Sequence, residues 1–282
     1  MILTVTLNPA IDRTVWVDRL VPGDLHRIKA CRSDVAGKGI NVSRALRGWG
    51  AGSEVIAVLG GRVGEWIRES LAAEGLWGHF IPVAGESRIN TKVVDASGEL
   101  TELNEAGPSL TGSEMDAVAK AIAARAHDAS WLVLSGSLPG GVEPGTYRTL
   151  IEAARGQQKE LQVALDTSGK ALALGLEARP DIIKPNREEM QTLLGRSLGR
   201  PGDYVAAVRE VRARGIHRVV LSLGAEGALF GGPEGTIWGR SAPIAVKSPT
   251  GCGDTLLAAT LYGLTQGWAW DRCARFAVAA AT

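Results

Sequence analysis

Glycines flank a cysteine and precede an aspartate at Thr250-Gly251-Cys252-Gly253-Asp254, ahead of the apolar run LLAATLYGL. Glycines at a strand-to-helix junction let successive backbone N–H groups converge, and the helix that follows adds the positive end of its dipole. Gly251, Cys252 and Gly253 are therefore suited to an anionic group such as phosphate. Neither common phosphate loop matches: a dinucleotide fingerprint needs glycine where Leu256 stands, and a Walker loop needs Lys-Ser or Lys-Thr, absent here and after Gly37-Lys38-Gly39. Asp254 falls in the first helical turn. It reads as a general base beside the phosphate, or as an ordinary first-turn acid that complements the dipole.

Four further groups carry chemistry. Asp12 in LNPAID stands before AGKGINV, a second glycine-rich turn into a helix that contains Gly37, Lys38 and Asn41. An acid and an amide can hydrogen-bond sugar hydroxyls and a lysine can meet phosphate as a point charge; alternatively Asp12 is a turn residue and Asn41 a helix-start residue. Arg88, in Arg88-Ile89-Asn90, offers a planar fork for phosphate, though a lone surface arginine is usually just solvated. Asn186 and Glu189 are three apart where a strand end runs into a helix, so they share a face. They read as holders of water around Mg²⁺ or as a capping box. Ser222-Leu223-Gly224-Ala225-Glu226-Gly227 follows an apolar strand and reads as a backbone approach to a nucleotide or as a turn between strands. Ser135-Gly136-Ser137-Leu138-Pro139 is not a Gly-x-Ser-x-Gly elbow, which weakens an esterase reading and leaves Ser137 on a substrate-contacting loop. His26, His79, His127 and His217 are isolated, without metal-ligand spacing.

The elements that must position these residues alternate. Apolar β-branched runs at Ile2–Leu7, Val55–Leu59, Trp131–Ser135, Leu161–Asp166, Asp181–Lys184 and Val219–Leu223 interleave with helical-period segments at Ile40–Trp49, Gly64–Glu74, Gly112–His127, Asp203–Arg214 and Gly251–Gln266. That rhythm predicts a mostly parallel sheet with crossover helices in one domain. Two stretches, about 14–35 and 88–103, alternate polar and apolar residues instead and predict a small β lid, with a hairpin around Ser97-Gly98. The edges of such a lid are where a second subunit would make a homodimer. Asp271–Thr282 reads as a helix with no Gly or Pro stop, as if the chain were cut within an element. Lysine and arginine number 31 against 30 acids, which provides no field for nucleic acid or anionic lipid, and no apolar run is long enough for a membrane span. Three scattered cysteines and no leader fit a cytoplasmic protein with small-molecule partners.

Taken in order, LNPAID, AGKGINVSR, SRINTKV, LSGSLPGG, IKPNREE, LSLGAEGAL and PTGCGD resemble the ribokinase-like carbohydrate kinase family across nearly the whole chain. The resemblance implies a three-layer α/β/α sandwich with a mostly parallel sheet and a small β lid, with ATP and Mg²⁺ at the carboxyl ends of the strands. Asp254 would be the base and the amides of Gly251, Cys252 and Gly253 would stabilise the transferring phosphoryl group. Asp12, Gly37, Asn41 and Ser137 would hold the sugar, with Lys38 and Arg88 on its phosphate. Asn186 and Glu189 would organise Mg²⁺ through water. Lys184, Gly253, Ser222, Gly224, Ala225, Glu226 and Gly227 would serve the nucleotide. The implied reaction is phosphorylation of fructose 1-phosphate at its 6-hydroxyl; tagatose 6-phosphate is the alternative substrate, and a catalytically silent sugar-phosphate or nucleotide-binding protein is the alternative class. Two departures stand out. Cys252 replaces the alanine usual in relatives, which leaves the backbone donors intact, and relatives continue past the helix that ends here at Thr282, which puts nucleotide affinity or stability in question.

Overall fold

The structure, a computed structural model, describes residues 1–240 and 251–282. Along the chain, β1 (Ile2–Thr6), β2 (Ala10–Trp16) and β3 (Ala30–Ala36) lead into α1 (Lys38–Gly48), β4 (Ser53–Gly60) and α2 (Gly61–Ala73). Next come β5 (Gly78–Val83), β6 (Arg88–Val94), β7 (Leu100–Asn104), α3 (Gly112–Ala126), β8 (Trp131–Ser135), α4 (Thr146–Gln157), β9 (Gln162–Asp166) and α5 (Gly169–Gly175). The chain continues through β10 (Ile182–Ile183), α6 (Arg187–Leu194), α7 (Pro201–Ala213), β11 (Arg218–Ser222), β12 (Ala228–Gly232) and β13 (Gly235–Gly239). It ends in α8 (Cys252–Thr265) and α9 (Trp270–Ala280).

Among the described residues nine strands form one sheet, in the order β13-β12-β11-β10-β9-β8-β1-β4-β5. From β11 to β5 every pairing is parallel, whereas β12 and β13 add on antiparallel. Central parallel strands are covered on both faces, and β1 and β8 are accordingly buried at every residue. Successive side chains of a strand point to opposite faces. Leu3, Val5, Leu132 and Leu134 accordingly pack with Ile122, Ile151 and Val208 on one side. Ile2, Val133, Ala164 and Val220 pack with Val42, Leu257 and Ala277 on the other. These two cores make the fold a three-layer α/β/α sandwich, with α1, α8 and α9 on one face and α3, α4 and α7 on the other.

A second sheet has the order β3-β2-β6-β7, with β2 parallel to β6 and the other pairs antiparallel. The β6–β7 hairpin turns through Ser97 and Gly98, and Asp95 Oδ1 accepts from Ser97 N at 2.9 Å. Because β2 begins at Ala10, Asp12 is a strand residue, which corrects the alternative reading of it as a turn residue. β5, β12 and β13 were not singled out in the sequence: Gly and Pro deplete strand propensity, and β5 tolerates Pro82 because it lies at the sheet edge. No helix among the described residues is long and apolar enough to cross a membrane.

Helix α1 lies against β1 at Gly39, where an added Cβ would fall 2.6 Å from Thr6 Oγ1 and 2.9 Å from the Val5 carbonyl oxygen. Gly39→Ala is therefore expected to destabilise the fold by about 1–3 kcal/mol. A urea titration checks this: the midpoint should fall with the slope unchanged.

Candidate active site

In a parallel sheet all strands end on one side, so residues that close different strands meet there. Asp166 is the last residue of β9, Lys184 follows β10 directly, Asn186 caps α6 and Ser222 ends β11. Lys38 opens α1, and Asp254 lies in the first turn of α8. Gly251 caps α8 with φ +85°, a left-handed conformation that disfavours a side chain, and accepts from Thr255 N at 2.9 Å. At Gly253 a Cβ would stand 3.2 Å from Lys184 Nζ, so the lysine lies against the opening turn of the helix. Thr250 falls outside the described residues.

The charges form one cluster. Lys38 Nζ donates to Asp166 Oδ1 at 3.0 Å and lies 3.9 Å from Glu189 Oε1; Lys184 Nζ lies 3.3 Å from Asp166 Oδ2. Asp166 is wholly buried and two ammonium groups face it, which offsets the cost of burying its side chain. Burial pulls Lys38 toward deprotonation, but Asp166 and Glu189 together override it and raise its pKa. Asp254 Oδ2 accepts from Asn41 Nδ2 at 2.8 Å. Burial first, and then the charge of Asp166, push its carboxyl up to about 6 against the opposing pull of Asn41, Lys184 and Lys38. Such a group is ionised at neutral pH yet more basic than a surface carboxylate, which suits it to accept a proton.

A cleft of about 1060 Å³ opens on one side of the Gly251–Gly253 turn, lined by Asp12, Asn41, Arg44, Lys92, Gly251 and Cys252. A second, of about 600 Å³, is lined by Asn186, Ser222, Gly224, Gly227, Cys252 and Gly253. Cys252 borders both.

Several anticipated residues have unanticipated partners. Lys38, expected at the sugar phosphate, has its ammonium between Asp166 and Glu189. Arg88 donates through Nε and Nη2 to the Asn8 carbonyl at 3.3 and 3.0 Å and through Nη1 to the Glu105 carbonyl at 3.3 Å. It braces two loops instead of presenting an empty fork. Ser137 Oγ accepts from Asn8 Nδ2 at 3.4 Å. Gly37 caps α1, its carbonyl accepting from Asn41 N at 2.8 Å. Asn186 and Glu189 complete a capping box, each side chain accepting from the other's backbone N–H at 2.8 Å. Ser222–Gly227 is a turn between antiparallel strands and also lines the smaller cleft. Its Ala225 and Glu226 are not among the lining residues, and Glu226 pairs with Arg187.

Four residues were not recognised in the sequence. Asp166 ends an apolar strand, and a carboxylate there was the available signal. Lys92 meets Asp12 Oδ2 at 2.6 Å beside Asn90, which donates to Asp12 Oδ1 at 3.0 Å. Period-two alternation along β6 puts Asn90 and Lys92 on one face. Asn8 and Arg44 carried no local signal. Asn8 Oδ1 and Asn90 Oδ1 are buried acceptors without a hydrogen-bond partner among the described residues, on the side of Asp12 and Ser137.

A glycine-capped helix start, a buried carboxyl of raised pKa and paired lysines on the carboxyl edge of a parallel sheet are the equipment of an α/β enzyme that handles phosphate. The chain belongs to the pfkB family of carbohydrate kinases, which it matches over residues 5–282, and is accordingly an ATP-dependent sugar kinase. It is 39% identical to a 1-phosphofructokinase from Xanthomonas campestris, over 98% of this chain and 88% of that protein. A 1-phosphofructokinase from Vibrio cholerae is 34% identical over 99% and 87%. The solved phosphofructokinase-2 from Escherichia coli in complex with fructose-6-phosphate superposes with a TM-score of 0.91 at 31% identity, covering 99% of this chain and 91% of that one.

Proposed function

We propose that the protein transfers the γ-phosphoryl group of ATP to the 6-hydroxyl of fructose 1-phosphate, giving fructose 1,6-bisphosphate. The observation that carries this reading is the Gly251–Gly253 turn between two clefts, with Gly251 and Cys252 lining one, Cys252 and Gly253 lining the other, and Asp254 next along the chain in the first turn of α8. The names of the curated relatives supply the sugar.

In this reading Asp254 accepts the proton of the attacking 6-hydroxyl as the oxygen bonds to the γ-phosphorus. The bond from that phosphorus to the β,γ-bridging oxygen breaks and ADP leaves. Backbone N–H groups of Gly251, Cys252 and Gly253, with Lys184 against the turn, take the charge on the phosphoryl oxygens. Asp12 and Asn41 hold sugar hydroxyls. Because Asn41 Oδ1 already accepts from Arg44, Asn41 meets the sugar as a donor. Arg88 faces the sugar phosphate once it exchanges a carbonyl for it, and Ser222, Gly224 and Gly227 receive the nucleotide.

Among the described residues no group of three or more His, Cys, Asp or Glu could hold a metal ion. One carboxylate oxygen of Glu189 together with water is a donor set that fits Mg²⁺, which keeps several waters and takes its remaining ligands from phosphates. Asn186 and Glu189 would hold the ion through water, and it would supply charge neutralisation for the ATP phosphates. The four-stranded sheet, with Leu25, Ile28, Leu100 and Leu103 exposed on and beside it, serves as lid and as the face for a second subunit.

An ADP-release assay with fructose 1-phosphate, tagatose 6-phosphate and fructose 6-phosphate tests the assignment. The highest kcat/KM is expected with fructose 1-phosphate; a preference for either other sugar overturns the substrate but leaves the kinase reading standing.

A further inference from the structure

Asn41 and Arg44 stand three residues apart on α1 and therefore share a face. Arg44 Nη1 donates to Asn41 Oδ1 at 2.7 Å, while Asn41 Nδ2 donates to Asp254 Oδ2 at 2.8 Å. The guanidinium is itself clamped: Nε donates to Glu74 Oε2 at 2.6 Å, and Nη2 to Glu74 Oε1 at 3.1 Å and to the Val35 carbonyl at 3.2 Å. Glu74 closes the C-terminus of α2, and Val35 belongs to β3 of the small sheet.

We propose that Arg44 is a positioning residue that sets the orientation of the Asn41 amide and thereby keeps a hydrogen-bond donor on Asp254. An amide has two orientations related by a flip. Flipped, Asn41 would turn an oxygen toward the Asp254 carboxylate and an NH₂ toward a guanidinium, so both contacts would be repulsive. Only one orientation satisfies the arginine and the carboxylate together, and the arginine's other partners hold it where it enforces that choice. The clamp also joins three elements to the base, since α2, the small sheet and α1 meet in one guanidinium.

The charged groups that face Asp254 are Asp166 from β9, Lys184 after β10 and Lys38 from α1, with Glu189 of α6 behind Lys38. Replacing Arg44 leaves all of these in place. What changes is the donor from Asn41, whose loss favours the protonated carboxyl. The acid limb of the rate profile should then move to higher pH.

This inference rests on Asp254 as the base, and a double-mutant cycle separates the two. Arg44→Met, Asn41→Ala and the double variant are assayed for kcat and sugar KM between about pH 5 and pH 9, with Asp254→Asn alongside. Arg44→Met alone is expected to lower kcat about 10-fold, the scale of a hydrogen bond to a charged group, and to raise the acid-limb midpoint. In the Asn41→Ala background it should change kcat by less than about two-fold. Equal losses in both backgrounds, or a rise confined to the sugar KM with an unmoved pH profile, would overturn the proposal and make Arg44 a direct ligand contact or a structural strut. Asp254→Asn that retained normal turnover would instead remove the base. Melting temperatures accompany each variant. If Arg44→Met does not fold, Arg44→Lys, which can reach only one of the three partners at a time, replaces it in the cycle with the same expected coupling.

Discussion

Asp254→Asn is expected to lower turnover roughly 10²–10⁴-fold and, at neutral pH, to make the protein more stable. The two effects share one cause. The folded state holds the Asp254 carboxyl at about 6 against a reference value of 3.8, because burial and Asp166 disfavour its charge more than Asn41, Lys184 and Lys38 favour it. A carboxyl raised on folding binds its proton more tightly in the folded chain. Its favourable contribution is complete below the unfolded value and disappears as pH rises through about 6. Above that, the ionised group costs about 3 kcal/mol at about 1.4 kcal/mol per pKa unit. Asparagine has nearly the same shape and never ionises, so its advantage should be present at pH 7.5 and gone near pH 4. Denaturant titrations at the two pH values check this, and an equal midpoint difference at both would show that the charge is not strained. The parent enzyme should also lose kcat/KM as pH falls through the same region, since only the carboxylate can accept the hydroxyl proton.

Asp166→Ala should act in the opposite direction, destabilising the chain by about 3–5 kcal/mol. Lys184 has only 5% of its side chain exposed, and its ammonium faces Asp166 at 3.3 Å. Removing the carboxylate leaves a buried charge whose desolvation is no longer offset; Lys38 is better placed, being more exposed and within reach of Glu189. Lys184→Met in the same background removes the stranded charge and should recover a large part of the loss, because a buried pair replaced as a unit is often neutral. The comparison is made by chemical denaturation of the parent and the two variants. A single variant as stable as the parent would show that Lys184 does not depend on Asp166.

These outcomes depend on contacts of different sequence range, and so does what could be read in advance. The α8 turn, the capping box at Asn186 and Glu189, the buried runs of β1 and β8 and the hairpin at Ser97-Gly98 are local. Each follows from periodicity, cap chemistry or glycine conformation within a few residues, and each was legible. The fold class followed from their alternation, and Asp12, Asn41, Arg44, Lys92, Asn186 and Ser222 at the clefts all lie in the ordered motifs, whereas Glu74 does not.

Which group faces which was not legible. Asn41 and Asp254 are 213 positions apart, and Lys38 and Asp166 are 128 apart. They meet because β9, β10 and the helices α1 and α8 discharge onto the same edge of the sheet, a consequence of strand order that no local pattern encodes. Strand order likewise set Lys92 against Asp12, Arg88 against the backbone of Asn8 and Glu105, and Arg44 behind Asn41. The sequence by itself determined most of the elements, the fold class and much of the cast of chemical groups, because short-range sterics and burial periodicity govern those. The tertiary structure alone decided the pairings, and with them the charge state of Asp254, because burial and the electrostatic partners of a group depend on what the rest of the chain brings beside it.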